Sequence, residues 1–182
     1  DIAENFKKML FGAMQALVVC DPARIDCDVG PVIDEIAREK ILQHIAQSNI
    51  LFSVKAPKGG TFVPPTVLAV SGIGDLGEEI FGPVLHLTTF AVDELEQVIH
   101  DINASGYGLT FGLHSRIDDR VQKIITSLDV GNLYINRNQI GAVVGSQPFG
   151  GHGLSGTGPK AGGPRYLPRF TKQNLLHTEG EL

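Results

Sequence analysis

The stretch VLHLTTFAVDELEQVIHDINASGYGLTFGLHSRIDDRVQKIITSLDVGNLYI, residues 84–135, decides the fold class, because its apolar spacing changes period along its length. Residues 84–90 read as a strand. Asp93 then caps a helix carrying Leu95, Val98, Ile99 and Ile102, which ends near Gly106. Tyr107, Leu109, Phe111 and Leu113 alternate with small or polar residues, as in a strand. Ser115 and Asp118 open a further helix with Ile117, Val121, Ile124 and Leu128, and Gly131 stands at a C-cap position before the strand of residues 133–135. Strand, helix, strand, helix, strand predicts an α/β fold with right-handed crossovers and a mainly parallel sheet flanked by helices. Ligands of such sheets sit beyond the carboxyl ends of the strands. The glycine- and proline-rich segment after Ile135, residues 141–163, is expected there as an irregular loop.

Upstream, Ile2, Phe6, Met9, Ala13 and Leu17 share one face of an amphipathic helix over residues 2–18, and Asp1 with Glu4 resembles a capping box. Residues 21–33 read as a loop. Asp34 opens a second helix whose core side is Ile36, Ile41, Leu42 and Ile45. Residues 50–54 read as a short strand and Lys58-Gly-Gly as a turn. Residues 62–70 are extended, since Pro64-Pro65 forbids helix. Residues 166–177 alternate (Tyr166, Leu167, Phe170, Leu175) and read as a terminal strand.

With 42% hydrophobic and 19% charged residues among 182, the chain buries a core of ordinary size and is not disordered. The net charge of −5, with no basic stripe carrying interleaved aromatics, argues against nucleic acid as a partner. No apolar run reaches the ~18 residues of a transmembrane segment. Asp1, Glu4, Lys7 and Lys8 break the first apolar stretch, so it does not read as a signal peptide. Two cysteines are too few for a disulfide framework, and a reducing cytoplasm is expected. Asn103-Ala-Ser105 fits a glycosylation pattern but carries little weight without a secretory signal.

Gly151-His-Gly-Leu-Ser-Gly156 matches G-x-G-x-x-G, but a dinucleotide loop needs a helix after it, and Pro159 and Pro164 block one. A tight turn is the expected structure. The six histidines lack metal-ligand spacing, so no metal site is expected. Cys20 follows an apolar run and Cys27 lies between two aspartates; negative neighbours raise a thiol pKa, the wrong direction for a nucleophile. In Leu76-Gly-Glu-Glu-Ile-Phe-Gly-Pro83, Glu79 stands two residues before Phe81 at a turn into a strand. A carboxylate there can accept from two ribose hydroxyls, and a ring can support a flat nicotinamide. On spacing alone, a helix-end carboxylate beside a core phenylalanine is the favoured reading.

Five pieces in one order then carry a resemblance: Glu79-Ile-Phe-Gly-Pro-Val84, Asn103 with Tyr107-Gly-Leu109, Gly131-Asn-Leu-Tyr-Ile-Asn136, Pro148-Phe-Gly-Gly151 and Ser155-Gly156. Together they resemble the aldehyde dehydrogenase superfamily over nearly the whole chain. Asp28-Val-Gly-Pro-Val-Ile-Asp34, Ile102-Asn-Ala-Ser-Gly-Tyr-Gly-Leu109, Gly141-Ala-Val-Val-Gly-Ser-Gln-Pro-Phe-Gly-Gly151 and Ser155-Gly-Thr-Gly-Pro-Lys-Ala-Gly-Gly-Pro164 are similar, more narrowly, to the Δ1-pyrroline-5-carboxylate dehydrogenase module of the bifunctional proline utilization A (PutA) family.

The resemblance implies NAD-dependent oxidation of L-glutamate γ-semialdehyde to glutamate in proline catabolism, through a cysteine thiolate and a thioester. It implies that Glu79 holds the nicotinamide ribose and Phe81 packs near the ring. It places Gly141 and Ala142 in an anchor loop whose backbone N–H groups grip the substrate's α-carboxylate, and Phe149 against the substrate's aliphatic part. It implies residues 1–165 as part of a catalytic domain and 166–182 as an oligomerisation strand and tail. The partners implied are the aldehyde substrate, the NAD-binding part of the same polypeptide and further copies in a homo-oligomer. The family's nucleophile, general-base glutamate, oxyanion asparagine and NAD-binding domain would lie upstream, so the chain is expected to hold no catalytic residue and to be inactive alone. A dehydrogenase acting on a different aldehyde is one alternative, which the Gly141-Ala142 anchor disfavours. A non-catalytic aldehyde-dehydrogenase-like structural domain is another, and it would have no need of the Glu79 and Phe81 pair.

Overall fold

The computed structural model describes residues 2–139, 143, 145–156 and 158–171, folded as two compact units, residues 1–91 and 92–182. Both mix helices with short strands.

In the first unit, α1 (Ala3–Gln15) precedes α2 (Glu35–Ala46) and a three-stranded sheet. The sheet runs β1 (Asn49–Ser53), β2 (Thr66–Ala69), β3 (Val84–Leu87), with β1 antiparallel and β3 parallel to the central β2. A bulge between Ile50 and Phe52 bends β1. Helix α2 begins as its sequence predicts: Asp34 is extended, and its carboxylate accepts the Ala37 N–H at 2.7 Å. Its core side is Ile41 and Ile45, which pack with Val63 and Leu68; Val32, Leu42, Ile80 and Val84 close around them. Ile36 was expected in that core but is 78% exposed.

Helix α1 also departs from expectation. Ile2, Phe6 and Met9 are exposed, and the inner face carries Phe11, whose ring stacks on Phe52 of β1 with centroids 4.8 Å apart. An apolar stripe says only that some face is greasy; which face is covered depends on the ring that finds a partner. The helix starts at Ile2 without a side-chain cap, and Glu4 pairs with Lys7 at 2.9 Å instead of closing a capping box. Asp1 lies outside the described residues.

In the second unit, α3 (Leu95–Ala104) follows a single 3-10 turn, Val92–Glu94. It ends at Ser105, with Gly106 in the left-handed region at φ 75°, as a C-terminal glycine should be. Strand β4 (Tyr107–Gly108) leads to β5 (Thr110–Leu113), then α4 (Asp118–Ser127) and β6 (Asn132–Ile135). β5 and β6 are parallel neighbours with α4 between them in sequence, the crossover that the change of period predicts. Ile99, Val121, Ile124, Val130 and Tyr134 are buried, whereas Ile117 stays half-exposed.

Two readings change here. Gly131 does not cap α4, which ends at Leu128. It is glycine because a Cβ would overlap the Gly150 carbonyl oxygen and come within 2.9 Å of Gly151 Cα. Of the strand expected over residues 166–177, Leu167–Phe170 is a 3-10 turn with Pro168 near its start, where proline's fixed φ and missing N–H suit a helix start better than a sheet ladder. Residues 172–177 lie outside the described residues. No helix among the described residues is long and apolar enough to cross a membrane.

His44 of α2 and His86 of β3 face each other, Nε2 to Nε2, at 2.9 Å. One must donate and the other accept, so the contact needs an unprotonated acceptor. Burial, and then the neighbouring His44, push the His86 pKa below its usual 6.5. The folded chain therefore binds fewer protons than the unfolded one between the lowered pKa and 6.5, and stability must fall as pH drops through that window. Chemical denaturation from pH 7.5 to pH 5.5 should show this loss in the parent protein and a flatter dependence in His86→Gln. Equal pH slopes in the two proteins would contradict it.

Candidate functional site

The first cluster lies in the turn entering β3. Ile80 is partly buried against the first unit's core cluster of Ile41, Ile45, Val63 and Leu68. Its two neighbours consequently face outward. Glu79 is exposed and makes no hydrogen bond or ion pair with another described residue. Phe81 is 79% exposed and takes φ 46°, a left-handed backbone that is unusual for a residue with a bulky ring. The next residues fix this turn: Val84 N–H donates to the Gly82 carbonyl at 2.8 Å and Thr66 N–H to the Pro83 carbonyl at 3.0 Å. Gly82 lies directly over the α2 core, where a Cβ would come within 2.6 Å of Ile41 Cδ1.

The preceding carboxylate behaves differently. Glu78 pairs with Lys40 at 2.7 Å, and that bond holds its pKa below the usual carboxylate value. The segment thus offers one carboxylate spent on a surface ion pair and one left free beside an exposed ring. Glu79 is not on a helix end and Phe81 is not in a core, so the reading that spacing alone favoured does not hold.

The second cluster is the loop that follows β6. Asn136 ends that strand at φ 54°, and its side-chain amide exchanges two hydrogen bonds, each 2.9 Å, with the Ser115 backbone. The loop leaves the carboxyl end of β6, but it does not stay there as expected. By Gly150 it has returned to the amino end, where the buried Asn132 Nδ2 donates to both Leu109 O and Gly150 O at 2.9 Å. Phe149 and Ala161 exchange backbone hydrogen bonds at 2.9 and 2.8 Å. The run from Gly151 to Gly156 opens no helix. His152–Gly153 forms β7, antiparallel to β4, and Gly108 N–H donates to Ser155 Oγ at 3.1 Å. Small residues are required along this crossing: a Cβ on Gly151 would come within 2.6 Å of Ser155 Cβ, and one on Gly108 within 2.5 Å of Asp129 O. His152 Nδ1 lies 2.7 Å from Asp129 Oδ1. Asp129 is placed in turn by Asn103, which accepts its N–H at 3.0 Å and donates to Ser127 O at 2.8 Å.

Phe149 is therefore fixed, half-buried, in the second unit, and Glu79 with Phe81 in the first. Gly141 and Ala142 lie outside the described residues. Sequence reasoning assigned no role to Asn132, a buried amide at the start of β6, or to Lys160, whose ammonium donates to the Gly131 carbonyl. Cys20 is buried, and its thiol is pushed up to about 11, first by burial and then by Cys27. Cys27 donates its S–H to the Cys20 carbonyl at 2.8 Å. The Cys20 thiol, so raised, is a poor nucleophile at neutral pH. No group of three or more His, Cys, Asp or Glu side chains among the described residues is placed to hold a metal ion.

The model of the aldehyde dehydrogenase family matches residues 1–175. The bifunctional protein PutA of Salmonella typhimurium is 49% identical over 193 aligned positions, which cover 98% of this chain and 15% of that protein. A crystal structure of Bradyrhizobium japonicum proline utilization A superimposes with a TM-score of 0.89 at 49% identity, over 93% of this chain and 18% of that one. A Thermus 1-pyrroline-5-carboxylate dehydrogenase with bound NAD superimposes with a TM-score of 0.82 at 34% identity, over 93% of this chain and 34% of that one. The chain thus spans about a seventh of the curated bifunctional relative and about a third of the shorter dehydrogenase. Over the length it does span, the match is nearly continuous, and the chain belongs to the aldehyde dehydrogenase family.

Proposed function

We propose that this chain supplies nicotinamide-binding and substrate-binding surfaces to an NAD-dependent dehydrogenase that oxidises L-glutamate γ-semialdehyde to glutamate in proline catabolism. The observation that carries the reading is the exposed pair around Ile80: a carboxylate without a partner among the described residues, two residues from an aromatic ring held exposed in a left-handed backbone. Exposed large rings and unspent carboxylates at a fixed spacing are ligand-binding material, and strain of this kind collects at ligand clamps. Similarity to proline utilization A and to an NAD-bound 1-pyrroline-5-carboxylate dehydrogenase supports the choice of cofactor and substrate.

In this reading Glu79 accepts hydrogen bonds from the nicotinamide ribose hydroxyls, and Phe81 packs against the ring. NAD, when bound, accepts the hydride. Backbone N–H groups of Gly141 and Ala142 hold the α-carboxylate, and Phe149 covers the aliphatic carbons. The nucleophilic thiolate comes from elsewhere in the protein, since Cys20 is buried and protonated. The whole is proposed to be a cytoplasmic homo-oligomer. Leu167 and Phe170, both about three-quarters exposed, support self-association.

Glu79→Ala in the intact enzyme should raise KM for NAD roughly 10- to 100-fold, the loss expected for hydrogen bonds to a charged group, with KM for the aldehyde much less affected. An unchanged KM for NAD would remove Glu79 from the cofactor site. Gly141→Val should depress kcat/KM for glutamate semialdehyde roughly 10- to 1000-fold, through loss of one or both charge-assisted hydrogen bonds of about 1.5–3 kcal/mol each. An aldehyde without the carboxylate should change far less, while Phe149→Ala should hurt both substrates. Equal loss on the two substrates in Gly141→Val would make the loop merely structural. The 182-residue polypeptide by itself should form no NADH from glutamate semialdehyde, and measurable turnover would refute this division of labour.

A further inference from the structure

Cys20 and Cys27 meet at the neck of a loop in the first unit. Backbone bonds close that neck: Asp28 N–H and Val29 N–H donate to the Val18 carbonyl at 2.9 and 3.2 Å, and Cys20 N–H donates to the Val29 carbonyl at 3.1 Å. Asp28 Oδ2 accepts the Val18 N–H at 2.8 Å. Residues 21–26 project beyond the neck, with an Arg24–Asp26 ion pair at 2.7 Å and a fully exposed Ile25. Cys27 Sγ lies 2.8 Å from the Cys20 carbonyl oxygen and 3.5 Å from that of Val29, and the two thiols are within hydrogen-bonding reach of each other. Cys20 is buried, whereas Cys27 keeps part of its surface in solvent.

A disulfide forms only where the chain already brings two cysteines together, and the closed neck does so here. The two thiols differ in what can reach them. Cys27 is open to a small molecule. Its flanking carboxylates are both engaged, Asp26 by Arg24 and Asp28 by the Val18 N–H. Cys20 has a pKa pushed up to about 11, first by burial and then by its hydrogen bond to Cys27, so it rests as a protonated thiol. Such a thiol is inert towards solutes, yet a thiolate of high pKa is intrinsically the stronger nucleophile, and an adjacent sulfur is presented to it at high effective concentration.

We propose that Cys20 and Cys27 are a redox pair that closes into a reversible disulfide across the neck of this loop, with glutathione disulfide as the oxidant. Cys27, as thiolate, attacks one sulfur of glutathione disulfide; the S–S bond breaks, and one glutathione leaves as a thiolate and takes up a proton. Cys20 then gives its proton to solvent and attacks the Cys27 sulfur, which expels the second glutathione. The two protein thiols are oxidised and one glutathione disulfide is reduced to two glutathiones. Transient disulfides of this kind occur even in reducing compartments. The pair uses no residue proposed to bind NAD or substrate, so it stands apart from the dehydrogenase reading.

The test incubates the intact enzyme with excess glutathione disulfide under native conditions, blocks free thiols by alkylation, and digests with trypsin without reductant. Trypsin cuts after Arg24, between the two cysteines, so a disulfide keeps the fragments on either side of that cut joined until dithiothreitol separates them. The joined fragments should become the main form of both peptides, with alkylation at Cys20 and Cys27 lost in equal measure. Cys20→Ala should stop at a glutathione adduct on Cys27. Cys27→Ser, which keeps a donor for the Cys20 carbonyl, should leave Cys20 free of glutathione. A glutathione adduct that persists on Cys27 of the parent enzyme without joined fragments would overturn the inference. So would an unmodified Cys27 in Cys20→Ala, an adduct on Cys20 in Cys27→Ser, or joined fragments that dithiothreitol does not separate.

Discussion

The Gly131 backbone passes Gly150 so closely that Gly131 can carry no side chain. The second unit's loop depends on that crossing. Gly131 immediately precedes β6, and Asn132, the strand's first residue, donates to both Leu109 O and Gly150 O. A buried amide with both of its donors on backbone carbonyls is costly to disturb, because removing it leaves two buried acceptors unpaired. A loop dense in glycine would otherwise be entropically expensive to hold in one conformation. The crossing, the Asn132 bridge and the Phe149–Ala161 pair supply that order, while glycine permits the contacts.

The first unit achieves a similar end by burial. Ile80 packs against the α2 core, while its neighbours Glu79 and Phe81 are exposed, Phe81 in a left-handed backbone. Placing a side chain by burying the one next to it requires no polar support for Glu79, which leaves the carboxylate free for a ligand. Glu78, one residue earlier, is neutralised by Lys40 and so adds little net charge beside it. Two different devices, close-packed backbone and a buried pin, thus present the two sets of proposed binding groups.

Local chemistry was legible in the sequence wherever one residue settles the matter. Asp34 caps α2, Gly106 follows α3 in the left-handed region, and the change of period gives β5, α4 and β6 in parallel register. Legibility ended where partners come from far along the chain. The stripe of Ile2, Phe6 and Met9 looked like a core face, yet the Phe11–Phe52 stack turns α1 the other way. Gly131 looked like a cap because a helix precedes it; its real constraint is a residue nineteen positions later. The alternation after Tyr166 suggested a strand, but Leu167–Phe170 is a 3-10 turn with Pro168 near its start. For the site, Glu79 and Phe81 stood out by motif, but their exposure and the left-handed φ of Phe81 are facts of the fold.

The central claim is that the Ile80-pinned pair faces the nicotinamide end of NAD. A crystal structure of the intact enzyme with NAD bound tests it most directly. The account predicts the Glu79 carboxylate at hydrogen-bond distance, about 2.5–3.0 Å, from the nicotinamide ribose hydroxyls, with the Phe81 ring against the nicotinamide. A cofactor bound with its nicotinamide ribose out of reach of Glu79 would contradict it.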